Sequence, residues 1–321
     1  MIYLYDFIFP DENQECEFIY PKDKSATEII NGIERDYRAR NYNGSLYPFR
    51  VLTKNSLNVV QFQEVTLFCG GNGSGKTTAL NVIAEKLRIK RENIYNSGRF
   101  FQDYLNMCDF NVARYNIDSD NYARFIKNQS TNIYVPADSR IIVSDDVFAH
   151  SMKQRKINDN IDSQRVTAEN DYKVLVNSYY NIRSLDDYNR WNARNKALKS
   201  KSGFMKQYLG EEAPEHSNGE TAMLYFLDRM ENAGLYLLDE PENSLSLENQ
   251  KILAEYIEAS AHYFNCQFII ATHSPIFLSI KKARVYDFDE NPVKVKNWTE
   301  VEDVKTMYHF FKTYEGEFAQ E

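Results

Sequence analysis

The chain has 321 residues, 43% hydrophobic and 26% charged, an ordinary globular composition with room for a sizeable core and more than one domain. No apolar run reaches the roughly 18 residues of a transmembrane helix, and the opening MIYLYDFIFP carries Asp6 and lacks the basic leader and cleavage site of a signal peptide. The net charge of −8 argues against a generally basic nucleic-acid binder, and Cys16, Cys69, Cys108 and Cys266 form no CxxC or Cys/His pair, so the expectation is a reduced, cytoplasmic protein.

IYLYDFIFPDENQECEFIYP predicts two strands around a polar turn at Asp11-Glu12-Asn13, an N-terminal hairpin. NVVQFQEVTLFCGG is a strand-rich stretch ending in glycines, after which Leu80, Ile83, Ala84 and Leu87 recur at helical spacing. From about Arg91 to Asn132 the chain is polar and irregular, and no element is placed there. RIIVSDD reads as a buried strand ending at Ser144-Asp145-Asp146.

Residues 151–213 are hydrophilic and predict a helical arm, or a short helical hairpin. From Ser151 to Gly210 there are 12 Lys/Arg against 6 Asp/Glu, and Arg190 to Lys206 holds six basic residues and no acid. Beyond Gly219 come a helix, the strand LYLLD, a helix from about Leu247 to Phe264, and the strand FIIAT. Leu253, Tyr256, Ile257, Ala261 and Phe264 give that second helix an apolar face. Strand, helix and strand at this spacing form a βαβ unit with a parallel sheet. TEVEDVKTMYHFF begins with a Thr299…Glu302 capping box and predicts a C-terminal helix. The expected division is 1–150 and 214–321 as two parts of one core, with 151–213 as the arm.

Three short stretches carry chemistry. Gly70-Gly71-Asn72-Gly73-Ser74-Gly75-Lys76-Thr77-Thr78 contains the P-loop pattern between a strand and an amphipathic helix. Such glycines let successive amides face a phosphate, the helix start adds partial positive charge, Lys76 reaches the β- and γ-phosphates, and Thr77 is placed to ligate Mg²⁺. In LYLLDEP, Asp239 emerges at the carboxyl end of an apolar strand, where open α/β sheets bind ligands, and can hold the Mg²⁺ shell. Glu240 beside it could orient or deprotonate an attacking water. In FIIATHSP, His273 falls just past the next strand, within reach of the same γ-phosphate. A fourth stretch, EHSNGE, has capping-box spacing at Ser217 and Glu220, which by itself only starts a helix.

In this order the stretches resemble the ABC-type ATPases. GGNGSGKTT matches their Walker A, LYLLDEP their Walker B with its catalytic glutamate, ATHSP their switch-histidine segment, and NSLS their D-loop, with Ser246 in place of the usual aspartate. His216-Ser217-Asn218-Gly219-Glu220 occupies the slot of their signature motif and keeps its serine and second glycine. More narrowly, the chain looks like small standalone bacterial ATPases related to the SMC, RecF and OLD groups. In those proteins an aromatic segment packs near the adenine, and Tyr47 in YPF is similar to it. No clear Q-loop glutamine is found. The resemblance implies a P-loop α/β fold with a mostly parallel core sheet, an antiparallel N-terminal β part and a helical arm.

It further implies ATP and Mg²⁺ as ligands and an ATP-sandwiched, head-to-tail homodimer. In such a dimer Ser217 and Gly219 of one head would complete the γ-phosphate site of the other, and hydrolysis would be coupled to a protein partner through the arm. Two alternatives belong to other classes. One is a slowly hydrolysing ATP-dependent sensor or adaptor of a bacterial defence or toxin-like module. The other is a DNA- or RNA-engaging ATPase using residues 190–206 with Trp191 for stacking, although a charged run is more often a solvated helix face.

Overall fold

The computed structural model describes residues 1–20, 27–30, 33–36, 45–112, 125–127, 134–177, 218–230 and 233–318. In chain order, β1 (Leu4–Ile8) is followed by α1 (Glu12–Ile19), then by the antiparallel pair β2 (Thr27–Ile30) and β3 (Ile33–Asp36). β4 (Val59–Gln61) and β5 (Val65–Cys69) precede α2 (Lys76–Lys86) and α3 (Phe101–Met107). β6 (Asp109–Val112), the antiparallel pair β7 (Phe125–Lys127) and β8 (Tyr134–Pro136), β9 (Arg140–Val143) and α4 (Ser144–Asn177) follow. After α5 (Asn218–Arg229) come β10 (Leu235–Asp239), α6 (Leu247–Tyr263), β11 (Gln267–Ala271) and the short α7 (Pro275–Leu278). β12 (Arg284–Asp287), β13 (Lys294–Lys296), α8 (Glu302–Thr313) and α9 (Glu315–Phe318) complete the described chain.

The chain divides into two compact units, Met1–Val147 with Ala222–Glu321, and Phe148–Thr221. In the larger unit a six-stranded sheet runs β13-β12-β5-β11-β10-β9, parallel throughout except for β13. β5, β10 and β11 are buried at every position, as strands covered on both faces must be. Alternate residues feed two cores. Phe68, Leu235, Leu237, Ile269 and Ala271 pack in the cluster that holds Leu80, Ile83 and Ala84 of α2, with Leu4 and Phe7 of β1. Leu67, Tyr236, Leu238, Phe268 and Ile270 pack with Ala222 and Phe226 of α5 and with Leu253, Ile257 and Ala261 of α6. The period-2 alternation is therefore real even where every strand residue is apolar.

The antiparallel N-terminal part is a three-stranded sheet, β4-β1-β6. Gln267, fully buried at the start of β11, stitches it to the parallel sheet. Its Oε1 accepts from the backbone N–H of Tyr3 (2.8 Å) and Leu4 (2.9 Å), and its Nε2 donates to the carbonyls of Leu4 (2.8 Å) and Gln63 (3.1 Å). A buried amide with all of these groups paired is stabilising where an unpaired one would be costly.

The expected N-terminal hairpin is not formed, because its second half is helix α1. Asp11 accepts from Gln14 N–H (2.8 Å) and the Gln14 side chain accepts from Asp11 N–H (3.0 Å), a complete capping box that the acidic turn residues conceal. β1 pairs instead with the distant β4 and β6. At the C-terminal end the box lies two residues before the expected one. Asn297 and Glu300 cap the 3₁₀ turn Trp298–Glu300, and α8 starts at Glu302 behind Val301, which offers no side-chain cap. Phe264, assigned to the buried face of α6, caps the helix and is 62% exposed. α3 and the short strands β6 and β7 occupy the stretch for which the sequence suggested no elements.

In the smaller unit, helix α4 continues to Asn177, and among its described side chains Ile161 and Ala168 are buried, seven residues apart on one face. Residues 190–206 with Trp191, and Ser217, lie outside the described residues. Among the described residues no helix is long and apolar enough to cross a membrane.

Candidate functional site

Register places the site. Ala271 of β11 pairs with Asp239 of β10 on one side and Phe68 of β5 on the other. The residues just past those pairs, Gly70 and Gly71 after β5, Glu240 after β10 and His273 after β11, therefore emerge together at the carboxyl edge of the sheet. A ligand at that edge meets loops rather than packed strands.

The P-loop curls because three of its glycines adopt positive φ: Gly70 at 138°, Gly73 at 80° and Gly75 at 103°. At Gly70 a Cβ would also come within 3.0 Å of the Asp289 carboxylate, and at Gly75 within 3.0 Å of Leu52 Cδ2. Gly75 leads into α2 with no side-chain cap, which leaves the first helical amides free to face an anion. Ser74 Oγ is buried without a partner beside them. Asn72, Gly73 and Thr77 are exposed, whereas Lys76 and Thr78 are buried.

Lys76 Nζ donates to the carbonyls of Gly70 (2.6 Å) and Gly71 (3.0 Å), so the loop holds its own lysine across its curl. Burial pushes the ammonium below its usual pKa, while Glu240 and Asp239 pull it back up. Thr77 Oγ1 donates to Asp239 Oδ1 at 3.0 Å, joining the start of α2 to the end of β10. Burial pushes Asp239 up to about 6, partly offset by that hydrogen bond, with the neighbouring Glu240 charge adding to the rise.

Glu240 sits at φ 49°, ψ 53°, in the left-handed region that residues other than glycine seldom occupy. Its N–H still donates to Ala271 O (2.9 Å), so strand pairing continues while the side chain is turned out of the sheet. Oε1 lies 3.3 Å from His273 Nε2, close enough for an ion pair with a protonated imidazole but without hydrogen-bond alignment. Oε2 accepts from Asn243 Nδ2 at 2.9 Å.

The sequence had not pointed to four residues that brace these groups. Glu242 Oε1 accepts from Thr272 Oγ1 (2.8 Å) and from the His273 N–H (2.5 Å), while its Oε2 is buried without a partner. Gln250 accepts from Ser274 Oγ (2.7 Å) and donates to Leu245 O (3.1 Å). Asp289 accepts from Gly71 N–H with both carboxylate oxygens at 2.8 Å. Asn55 donates to Phe288 O (2.6 Å) and Ser74 O (3.4 Å). Only Asp289 left a signal: it lies two residues past the end of β12, which pairs with β5, much as Asp239 ends β10.

Tyr47 stacks on Phe101, ring centroids 6.0 Å apart, and packs against the core cluster on the α2 side. Nearer the P-loop on the same segment are Val51 and Leu52, which border Gly75, and Asn55, which donates to Ser74 O. Gly219 lies in the first turn of α5.

A sequence family described as ABC transporter matches residues 52–243, a span that ends between Glu240 and His273. No curated protein matches the sequence. Among solved structures, the Smc head domain with an extended coiled coil bound to the C-terminal domain of ScpA from Pyrococcus furiosus is 14% identical, with 80% of this chain and 95% of that one covered at a TM-score of 0.35. The SMC head domain from Thermotoga maritima is 15% identical, with 74% and 92% covered at a TM-score of 0.31. A dimeric ATP-binding cassette in a post-hydrolysis state, bound to ADP and Pi, is 15% identical, with 75% and 89% covered at 0.33. With more than half of its length matched, the chain belongs to the ABC transporter family and is an ATPase domain of that superfamily.

Proposed function

We propose that the chain is a Mg²⁺-dependent ATPase that hydrolyses ATP between two head-to-tail copies and passes the change to a protein partner through residues 151–213. The observation that carries the catalytic part is the Thr77–Asp239 hydrogen bond beside the Glu240–His273 pair, all at one sheet edge.

In this reading the amides of Asn72 and Gly73, with those from Gly75 to Thr78 at the uncapped start of α2, cradle the phosphates. Lys76 exchanges the Gly70 and Gly71 carbonyls for phosphoryl oxygens, a small movement of an ammonium that is already in place. Thr77 Oγ1 and Asp239 Oδ1 are two hard oxygens 3.0 Å apart, a donor set that fits Mg²⁺ completed by phosphate oxygens and water. When bound, the ion neutralises charge on the transferring phosphoryl group.

Glu240 accepts the proton of the attacking water, and its left-handed backbone aims the carboxylate away from the ladder. His273 lies 3.3 Å from one oxygen of that carboxylate, and Asn243 donates to the other. Positioning dominates phosphoryl transfer, so the braces from Glu242 and Gln250 belong to the mechanism. Tyr47 is assigned to the adenine end, and Ser217 and Gly219 to the γ-phosphate of the partner copy, by the motif match.

Phosphate release from ATP by the purified chain tests the reading. It should require Mg²⁺ and fall by roughly 10³-fold in Glu240→Gln, the scale of losing an activating base. Turnover unchanged by that substitution would refute Glu240 as the base.

A further inference from the structure

A cleft of ≈ 210 Å³ opens where the segment after α2 meets β9, the edge strand of the six-stranded sheet. It belongs to a different part of the sheet from the P-loop, because Arg140 on its wall pairs with Tyr236, three residues before Asp239. Its volume lies below the roughly 300–1,000 Å³ of pockets that take whole cofactors or drug-sized ligands. There is room for one small polyatomic group.

The lining is strongly cationic. Lys90, Arg91, Arg140 and Arg229 face a single carboxylate, Glu92. Glu92 is already committed. It accepts from Arg229 Nε (2.8 Å) and Nη2 (3.3 Å) and from Tyr225 Oη (2.9 Å), and the Arg229 hydrogen bond holds it below the usual carboxylate range. Arg229 also stacks 3.5 Å above the Tyr225 ring. Arg229 is shared between Glu92 and Asp228 (3.3 Å), and Glu85 and Asp146 lie within the field of Arg91, so what the cleft lacks is hydrogen-bond acceptors rather than negative charge alone.

Arg91 is held in place by its stacking on Tyr95 (4.1 Å) and by donating from Nη2 to Asn81 Oδ1 (2.6 Å), neither of which cancels its charge. Among the described residues, Lys90, Arg91 and Arg140 form no salt bridge. The Nε atoms of Arg91 and Arg140 are both buried without a hydrogen-bond partner. Two orphaned guanidinium donors beside a small cavity are destabilising as they stand, and they favour an anion that brings the missing acceptors.

We infer that this cleft is a second anion site, separate from the P-loop, which takes a phosphoryl group as inorganic phosphate or a small phosphomonoester. Planar guanidinium forks match tetrahedral phosphoryl oxygens, and Lys90 adds a point charge at the exposed rim. A bound phosphoryl group would tie the segment leaving α2 to β9 and to the last turns of α5.

Equilibrium dialysis against radiolabelled inorganic phosphate, and separately against glycerol 3-phosphate, tests the site in full-length protein saturated with ADP. One further equivalent of one or both probes should bind, and the probe that binds more tightly identifies the source. Arg140→Gln and Lys90→Gln should each weaken that binding by about tenfold or more while ADP affinity stays unchanged. Lys76→Ala should retain it. The inference is overturned if ADP-loaded protein binds neither probe, if both cleft variants bind as the wild type does, or if Lys76→Ala abolishes binding.

Discussion

Thr77 and Asp239, 162 residues apart in sequence, share a hydrogen bond of 3.0 Å that closes the phosphate loop onto the end of the neighbouring acidic strand. It forms because β11 sits between β5 and β10 and brings their carboxyl ends level. Asp239 is buried there, and burial raises its pKa to about 6 from an ordinary 3.8 against the opposing effect of the Thr77 hydrogen bond.

That shift has a sign that can be measured. The folded protein holds a proton on Asp239 in a range where the unfolded chain has released it. Stability from this group is therefore present below about pH 4 and is lost as pH rises through about 6. Above that range the buried charge costs up to ~3 kcal/mol. Asp239→Asn removes the charge and keeps an acceptor for Thr77, so the ligand-free variant should be more stable than wild type at pH 7.5 by roughly 1–3 kcal/mol. At pH 4.5 the gap should shrink to about a third. Thermal unfolding of both proteins at the two pH values decides it; a gap that is constant or reversed removes the argument.

Glu242 should matter to turnover although it is set back from the reacting atoms. Its carboxylate accepts from the His273 N–H and the Thr272 hydroxyl, and so fixes the backbone that carries His273. Glu242→Gln keeps one acceptor but puts an amide where the second oxygen lies, buried and unpaired. We expect kcat to fall roughly tenfold with little change in KM, the pattern of an interaction used in the transition state. His273→Ala and the double variant complete a cycle. If Glu242 acts through His273, the double variant loses less than the product of the two single losses, and strict multiplicativity would show independent roles.

Gln267 supports a stability prediction independent of catalysis. Gln267→Leu preserves bulk but leaves the N–H groups of Tyr3 and Leu4 and the carbonyls of Leu4 and Gln63 without their partner. At roughly 1–3 kcal/mol for each buried group left unsatisfied, a loss of about 3–4 kcal/mol is expected after relaxation. Denaturant titration measures it, and a loss under about 1 kcal/mol would mean that water replaces the amide.

The same contacts mark what could and could not be read from the residues alone. Lys76, Thr77, Asp239, Glu240 and His273 were legible because each sits at a fixed offset from an apolar strand, and strand ends of a parallel sheet fall on one edge. Glu242, Gln250 and Asn55 were not, because nothing local separates a bracing polar residue from a solvated one. Asp289 meets Gly71 across 218 positions and Gln267 meets Tyr3 across 264, separations at which pairing follows from topology rather than pattern. The error at α1 was of another kind. Asp11 and Gln14 wrote a capping box into a stretch whose apolar content suggested a strand, and the local hydrogen bonds prevailed.

Ser217 immediately precedes Asn218, the first residue of α5. The spacing of Ser217 and Glu220 is that of a capping box, expected to be worth about 1 kcal/mol to the helix. In the proposed dimer the serine also reaches the γ-phosphate of the partner copy. The two roles separate in the Glu240→Gln background, where ATP binds and water is not activated. With MgATP, Glu240→Gln should elute as a dimer in size-exclusion chromatography. Adding Ser217→Arg should return it to monomer while ATP binding is retained, because the P-loop of each copy is untouched and only the trans contact is blocked. Ser217→Ala should lower thermal stability slightly and weaken the dimer. A dimer that survives Ser217→Arg would leave the serine with its capping role alone, and a Glu240→Gln protein that stays monomeric at saturating MgATP would reject the sandwich itself.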